Sequence, residues 1–177
     1  MFLRKLILVF IFCYSTQICF TQIIPWWLSD TIAVDSSEIK ATVIADTIVK
    51  YAKTFIGVPY IWGGASPDGF DCSGFICYVY AKFGIKLPRT SVEQFNAGIP
   101  IPYIEAKPGD LILFSGTETV GGFPGHIGIV LSYSQEKGFT FIHTSSPESG
   151  GVRISNENSE KYYYKRFLEI RRVIDVE

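Results

Sequence analysis

At 177 residues, with 47% hydrophobic and 15% aromatic residues, the chain has material for one well-packed domain rather than two. Its formal net charge of -1, from 16 Lys and Arg against 17 Asp and Glu, excludes a broad electrostatic footprint for nucleic acid or anionic lipid. Any polymer it binds must be recognised by a local groove.

The chain opens with Arg4 and Lys5, then an apolar run over residues 6–13 that Ser15, Thr16 and Gln17 interrupt. This reads as a signal peptide over residues 1–21. The run is well short of the roughly 20 apolar residues of a spanning helix, so no stable membrane span is expected. Cys13 follows Phe12 and Cys19 follows Ile18, not the small residue that precedes an acylated cysteine, so a lipid anchor is not expected either. The protein is expected to be exported to the periplasm or cell envelope. Residues 22–35, with Pro25, Trp26 and Trp27, form an irregular mature N-terminus, either flexible or a strap. A large apolar pair there seeks cover, and a groove over the active residues would supply it. One domain is expected over residues 36–177.

From Ser36 or Ser37 onward, Ile39, Val43, Ile44, Ile48, Tyr51, Ala52 and Phe55 recur at helical spacing until Gly57 and Pro59, predicting an amphipathic helix packed on the core. A second helix is expected within residues 70–83, starting near Asp71 or Cys72 and stopped by Gly84. Thr90 with Glu93 fits a capping box for a short third helix ending near Gly98. The period then changes. Residues 111–114, 126–133, 139–145, 152–155 and 167–173 are short, β-branched and aromatic stretches bounded by Gly, Pro, Ser or Asn. Helices followed by strands predict an α+β domain with an antiparallel sheet.

Removal of the signal leaves Cys72 and Cys77 as the only thiols. Five residues apart on one helix, they diverge by about 140°, which argues against a disulfide and against a shared zinc ion with the two histidines. No metal or cofactor is expected, and Cys77 is read as a small buried apolar residue. Cys72 stands at a helix start, where unpaired N–H groups and the helix dipole favour a thiolate, among Gly63, Gly64, Gly69 and Gly74, which leave room for a substrate. It is the candidate nucleophile. His126 and His143 are the only histidines. An antiparallel hairpin turning between Ser134 and Gln135 would set them directly opposite each other on one face, one as base and the other as its orienting partner.

Pro59 to Gly64, Gly69 to Phe75, Leu87 to Ser91 with Gln94, Pro108 to Leu111, Gly125 to Ile129 and Phe141 to His143 together resemble, in order and spacing from about Tyr51 to Val173, the NlpC/p-sixty cell-wall peptidases. The resemblance implies a papain-like fold and a cysteine peptidase that hydrolyses peptidoglycan stem peptides between D-γ-glutamyl and a diamino acid. It implies Cys72 as nucleophile, His126 as base and His143 as the third member. Tyr60, Asp71 and Ser73 match substrate-binding positions, the last two for the free amine of a stem peptide. Each also has a purely structural use: Tyr60 as a core aromatic, Asp71 as a helix cap, Ser73 as a first-turn residue. The partner implied is peptidoglycan or its released stem peptides, taken by a monomer. The 17 positions between the histidines imply an extended hairpin tip over residues 132–138, and the 115–125 loop is long. Two other readings use the same residues: an acyltransferase or different amidase of this fold, and a wall-peptide binder without turnover.

Overall fold

The computed structural model describes residues 35–116, 122–145, 150–158 and 160–174. The signal peptide, the Trp26-Trp27 segment and residues 117–121 of the 115–125 loop lie outside the described residues.

Asp35 caps the first helix, α1 (Ser36–Lys53), by accepting from the Ser37 N–H. Its buried face is Ala45, Ile48, Val49 and Ala52. Ile39 and Val43, expected on the packed face, are about half exposed, at 52% and 59%, while Ala41 and Ile44 pack against the core instead. A two-stranded ribbon, β1 (Ala65–Ser66) and β2 (Gly69–Phe70), leads into α2 (Cys72–Ala81). Phe70 belongs to this ribbon and not to the helix. Beneath α2, Phe55 meets Phe70, Phe75 and Tyr78 with ring centroids 5.4–6.4 Å apart, mostly edge to face. Such aromatic contacts fix the helix against its neighbours, each adding about 1 kcal/mol to area burial. Gly84 ends the α2 region with φ +80°, as expected of a helix stop.

The capping box at Thr90 and Glu93 is present and opens α3 (Ser91–Gln94). Gln94 is fully buried and donates to the carbonyls of Ser73 and Pro88, tying α3 and the Leu87-Pro88 segment to α2.

Six strands form one antiparallel sheet, ordered β3 (Ile99–Ile101), β8 (Phe167–Arg172), β4 (Leu111–Ser115), β5 (Pro124–Ser134), β6 (Gly138–Thr144), β7 (Val152–Asn156). The one-turn helix α4 (Lys161–Tyr164) precedes β8. Leu111, Leu113, Ile127, Ile129 and Ile142 face the helices in the main core, while Ile112, Phe114, Val130, Phe139 and Phe141 join Tyr163 and Ile170 in a second cluster. The alternation follows from the period of two along each strand. Helices packed against an antiparallel sheet give the expected α+β class.

The expected hairpin exists, but its register differs. Only residues 135–137 form the turn, and the strands run to Ser134 and Gly138, so the expected extended tip is absorbed into longer strands. A bulge at Leu131 inserts one residue. His143 therefore pairs with Gly128, not with His126. The offset is two residues, and an even offset keeps both imidazoles on one face.

Candidate active site

Asp71 governs the start of α2. Its Oδ1 accepts from the Gly74 N–H at 2.6 Å and from the Ser73 hydroxyl at 3.3 Å, and its Oδ2 accepts from the Gly63 N–H at 3.0 Å. The same carboxylate thus caps the helix and pins the 61–64 turn. That approach is tight enough to require glycine: a Cβ on Gly74 would stand 2.1 Å from the Gly64 carbonyl oxygen. Arg89 closes the cluster, donating to both Asp71 oxygens at 3.0 and 2.7 Å and to Ser73 at 3.0 Å.

Cys72 is the first residue of α2, half-buried in the wall of a groove of about 1180 Å³ that Tyr60, Asp71, Ser73 and His126 also line. The helix start is where the sequence places it, yet its expected acidifying effect is outweighed. Burial and the Asp71 carboxylate push the Cys72 thiol up, to about 11, while the backbone N–H groups of Ser73, Ile127 and Cys72 pull the other way. Cys72 is therefore a neutral thiol near pH 7.

His126 reaches the groove because β5 pairs with β4 through Phe114 opposite His126, and the N–H of the next residue, Ile127, acts on the Cys72 sulfur. Its Nε2 lies 2.8 Å from Nδ1 of His143. The rings are perpendicular, with centroids 4.9 Å apart. His143 is fully buried, and its Nε2 lies 2.9 Å from the Ser155 hydroxyl on β7. Gly128 makes this possible, because a Cβ there would stand 3.2 Å from Cβ of His143 and 3.0 Å from the Ile142 carbonyl. Tyr163 stacks beside His126, 6.0 Å between centroids, and brings its hydroxyl to 3.5 Å from His143 Nε2.

Burial, then the charge of Arg166, hold His126 down to about 4. Burial, His126 and Arg153 hold His143 well below its ordinary value. Both imidazoles are neutral near pH 7. With Nε2 of His126 engaged by His143, Nδ1 is the remaining ring nitrogen.

Tyr60 is half-buried at the groove, bridged to Phe70, with its hydroxyl pKa raised by burial and by Cys72 and Asp71. Ser73 is buried between Asp71 and Arg89. Cys72 and Cys77 are both free. Cys77 is half-buried rather than enclosed, and its thiol meets the Pro88 carbonyl at 3.1 Å, so it is a hydrogen-bonded residue and not the purely apolar one expected. Sequence reasoning missed Ser155, buried behind His143, and the groove residues Tyr163, Arg89, Arg166 and exposed Trp62. Arg89 sits inside a quoted motif, but Ser155 and Tyr163 join the site only through strand register and packing.

Among the described residues, no group of three or more His, Cys, Asp or Glu is placed to hold a metal ion, and no helix is long and apolar enough to cross a membrane.

Known proteins resemble this chain in sequence and in fold. A Bacillus subtilis gamma-D-glutamyl-L-lysine dipeptidyl-peptidase is 34% identical over 140 residues, covering 79% of this chain and 44% of the relative. The bifunctional muramidase/DL-endopeptidase CwlT of the same species is 47% identical over 85 residues, 48% of this chain and 26% of that protein. The chain thus spans less than half the length of either. The crystal structure of an NlpC/P60 family protein from Bacillus cereus superposes with a TM-score of 0.65 at 32% identity, over 73% of this chain and 40% of that one. The sequence pattern of the NlpC/P60 family itself matches residues 57–172. With the α+β papain-like fold and the Cys72, His126 and His143 groove already in place, the conclusion is that this chain belongs to the NlpC/P60 family.

Proposed function

We propose that this protein is an exported cysteine endopeptidase of the cell envelope that hydrolyses peptidoglycan stem peptides at the D-γ-glutamyl to diamino acid bond, using Cys72, His126 and His143. The observation that carries this reading is the line of contacts from His126 Nε2 to His143 Nδ1 at 2.8 Å and on to Ser155 at 2.9 Å, in a groove that also holds Cys72. The substrate rests on the relatives, of which one is named for the γ-D-glutamyl-L-lysine bond.

The proton positions that make His126 a base follow from that line. His126 Nε2–H donates to His143 Nδ1, and His143 Nε2–H donates to Ser155, leaving His126 Nδ1 bare. On substrate binding Cys72 passes its proton to that nitrogen and the sulfur attacks the γ-carbonyl carbon. Backbone N–H groups at the start of α2 receive the oxyanion. His126 then returns the proton to the departing amine, the C–N bond breaks, and water hydrolyses the thioester with His126 again as base. A neutral thiol and imidazole in the resting state place the proton transfer within the reaction and not before it.

Tyr60, Asp71 and Ser73 form the wall that takes the free amine of the stem peptide. The five donors already on Asp71 fill the roughly four acceptor positions of a carboxylate. Arg89 offsets its charge at 2.7 Å, so an ammonium that binds there displaces one of these donors.

Purified Cys72→Ala protein is expected to keep the fold by circular dichroism and to release no product from defined stem peptides, with product masses locating the bond cut by the wild type. Turnover by that variant would sink the assignment. A product joined to a second amine would mark acyl transfer.

A further inference from the structure

The groove that holds the Asp71 cluster also holds a cation with no counter-charge among the described residues. Arg166, directly before β8, is only 5% exposed and lines the groove with His126. Its Nη2 donates to the Ser115 carbonyl, and its guanidinium carbon lies 4.3 Å from the centre of the Tyr162 ring. Nε has no partner, and no carboxylate of the described residues is within ion-pair distance of Arg166. The acidic residues of the groove are engaged elsewhere, Asp71 by Arg89 at 2.7 Å and Glu160 by Arg153 at 3.3 Å. Thr144, fully buried on the same groove, has a hydroxyl without a partner. A buried charge and buried donors are costly when unpaired, so a protein that keeps them facing a groove gains when an anion arrives.

The side of the cleavage site follows from the chemistry. The general acid must touch the departing amine, so the leaving residue lies on the His126 side of Cys72, and Arg166 is close enough to act electrostatically on His126. The reading of the protein as a stem-peptide endopeptidase supplies the identity of that residue, a diamino acid, and this inference rests on it. We propose that Arg166, assisted by Thr144, binds a free carboxylate of the leaving diamino acid and so selects stem peptides that carry one there. Two carboxylates qualify chemically: the α-carboxylate when the diamino acid ends the chain, and the side-chain carboxylate of diaminopimelate.

Three synthetic peptides separate these cases: L-Ala-γ-D-Glu-L-Lys as the free acid, the same peptide as its C-terminal amide, and a diaminopimelate counterpart amidated at the α-carboxyl only. The wild type is expected to cleave at least one carboxylate-bearing peptide with kcat/KM about 10- to 100-fold above the lysine amide, the range of charge-assisted hydrogen bonds. Preference for the lysine acid identifies the α-carboxylate, and preference for the diaminopimelate peptide identifies the side chain. Arg166→Met should collapse the acid-to-amide ratio towards one and Arg166→Lys should keep part of it. Using the ratio cancels any change in His126 that accompanies loss of the neighbouring charge. Thr144→Val, nearly isosteric, should lower the same ratio about 3- to 10-fold and serves if Arg166→Met does not fold. Equal cleavage of all three peptides by the wild type, or an unchanged ratio in the variants, overturns the inference while leaving the endopeptidase reading intact. Cleavage of none overturns both.

Discussion

Lowering the pH from 7 to 5 is expected to weaken the fold through its two neutral imidazoles. Burial and the charge of Arg166 hold His126 to about 4, against an ordinary 6.5, and His143 is also held well down, by burial, His126 and Arg153. In the unfolded chain both titrate near 6.5. Between pH 6.5 and 4 the unfolded state therefore binds more protons than the folded one, and stability falls as pH falls. For His126 alone, a folded value near 4 gives a loss of about 2 kcal/mol at pH 5 and about 3 kcal/mol at pH 4, relative to pH 7. His143 adds to this in the same direction. Against a total stability of about 5–15 kcal/mol for a domain, the change is readily measured. Urea unfolding at pH 7 and pH 5, in the Cys72→Ala background to remove the groove thiol, compares His126 with His126→Gln. The pH-dependent loss should shrink by about 2 kcal/mol in the glutamine variant. An equal loss in both proteins would refute the assignment of a buried, neutral His126.

Asp71→Asn removes the negative charge beside Cys72 and weakens its hold on Gly63, Gly74 and Arg89. Iodoacetamide should then label Cys72 faster than in the wild type at pH 7 to 9, while thermal melts show a loss of about 1–2 kcal/mol from the weakened cap; an unchanged labelling profile counts against Asp71 as a cause of the raised thiol. Ser155→Ala takes the acceptor from His143 Nε2 and should lower kcat about 5-fold with KM unchanged, with Tyr163, 3.5 Å away, preserving part of the function. Ser155→Thr should restore kcat, and a change confined to KM would remove Ser155 from the line that orients the base.

Several parts of this protein were written in local sequence because short-range physics fixes them. The capping box at Thr90 and Glu93, the helix start at Asp71 and Cys72 and the stop at Gly84 depend on residues a few positions apart, so the candidate nucleophile could be placed without coordinates. The five main strands were legible from β-branched and aromatic runs, whereas the ribbon at Ala65–Phe70 and the short strand at Ile99–Ile101 were too brief to show a period. The face shared by the two histidines needed more than alternation along the hairpin: the register at its tip, Ser134 opposite Gly138, would if unbroken set His143 opposite Ile129 and turn the imidazoles apart, and the one-residue bulge restores the common face.

Neither that face nor the register was legible, because the bulge at Leu131 and the room left at Gly128 are properties of a pair of strands and not of either alone. The ionisation of Cys72 was likewise decided by tertiary structure. A helix start lowers a thiol's pKa from sequence-local dipoles, but burial and the Asp71 carboxylate overcome it once the groove walls meet. Ser155 and Tyr163 come from β7 and α4, and Arg166 from directly before β8, far along the chain from Cys72. Sequence by itself determined the reactive residue types and their local supports, while only packing across the sheet decided which of them touch, which are neutral and which charge has no ion-pair partner among the described residues.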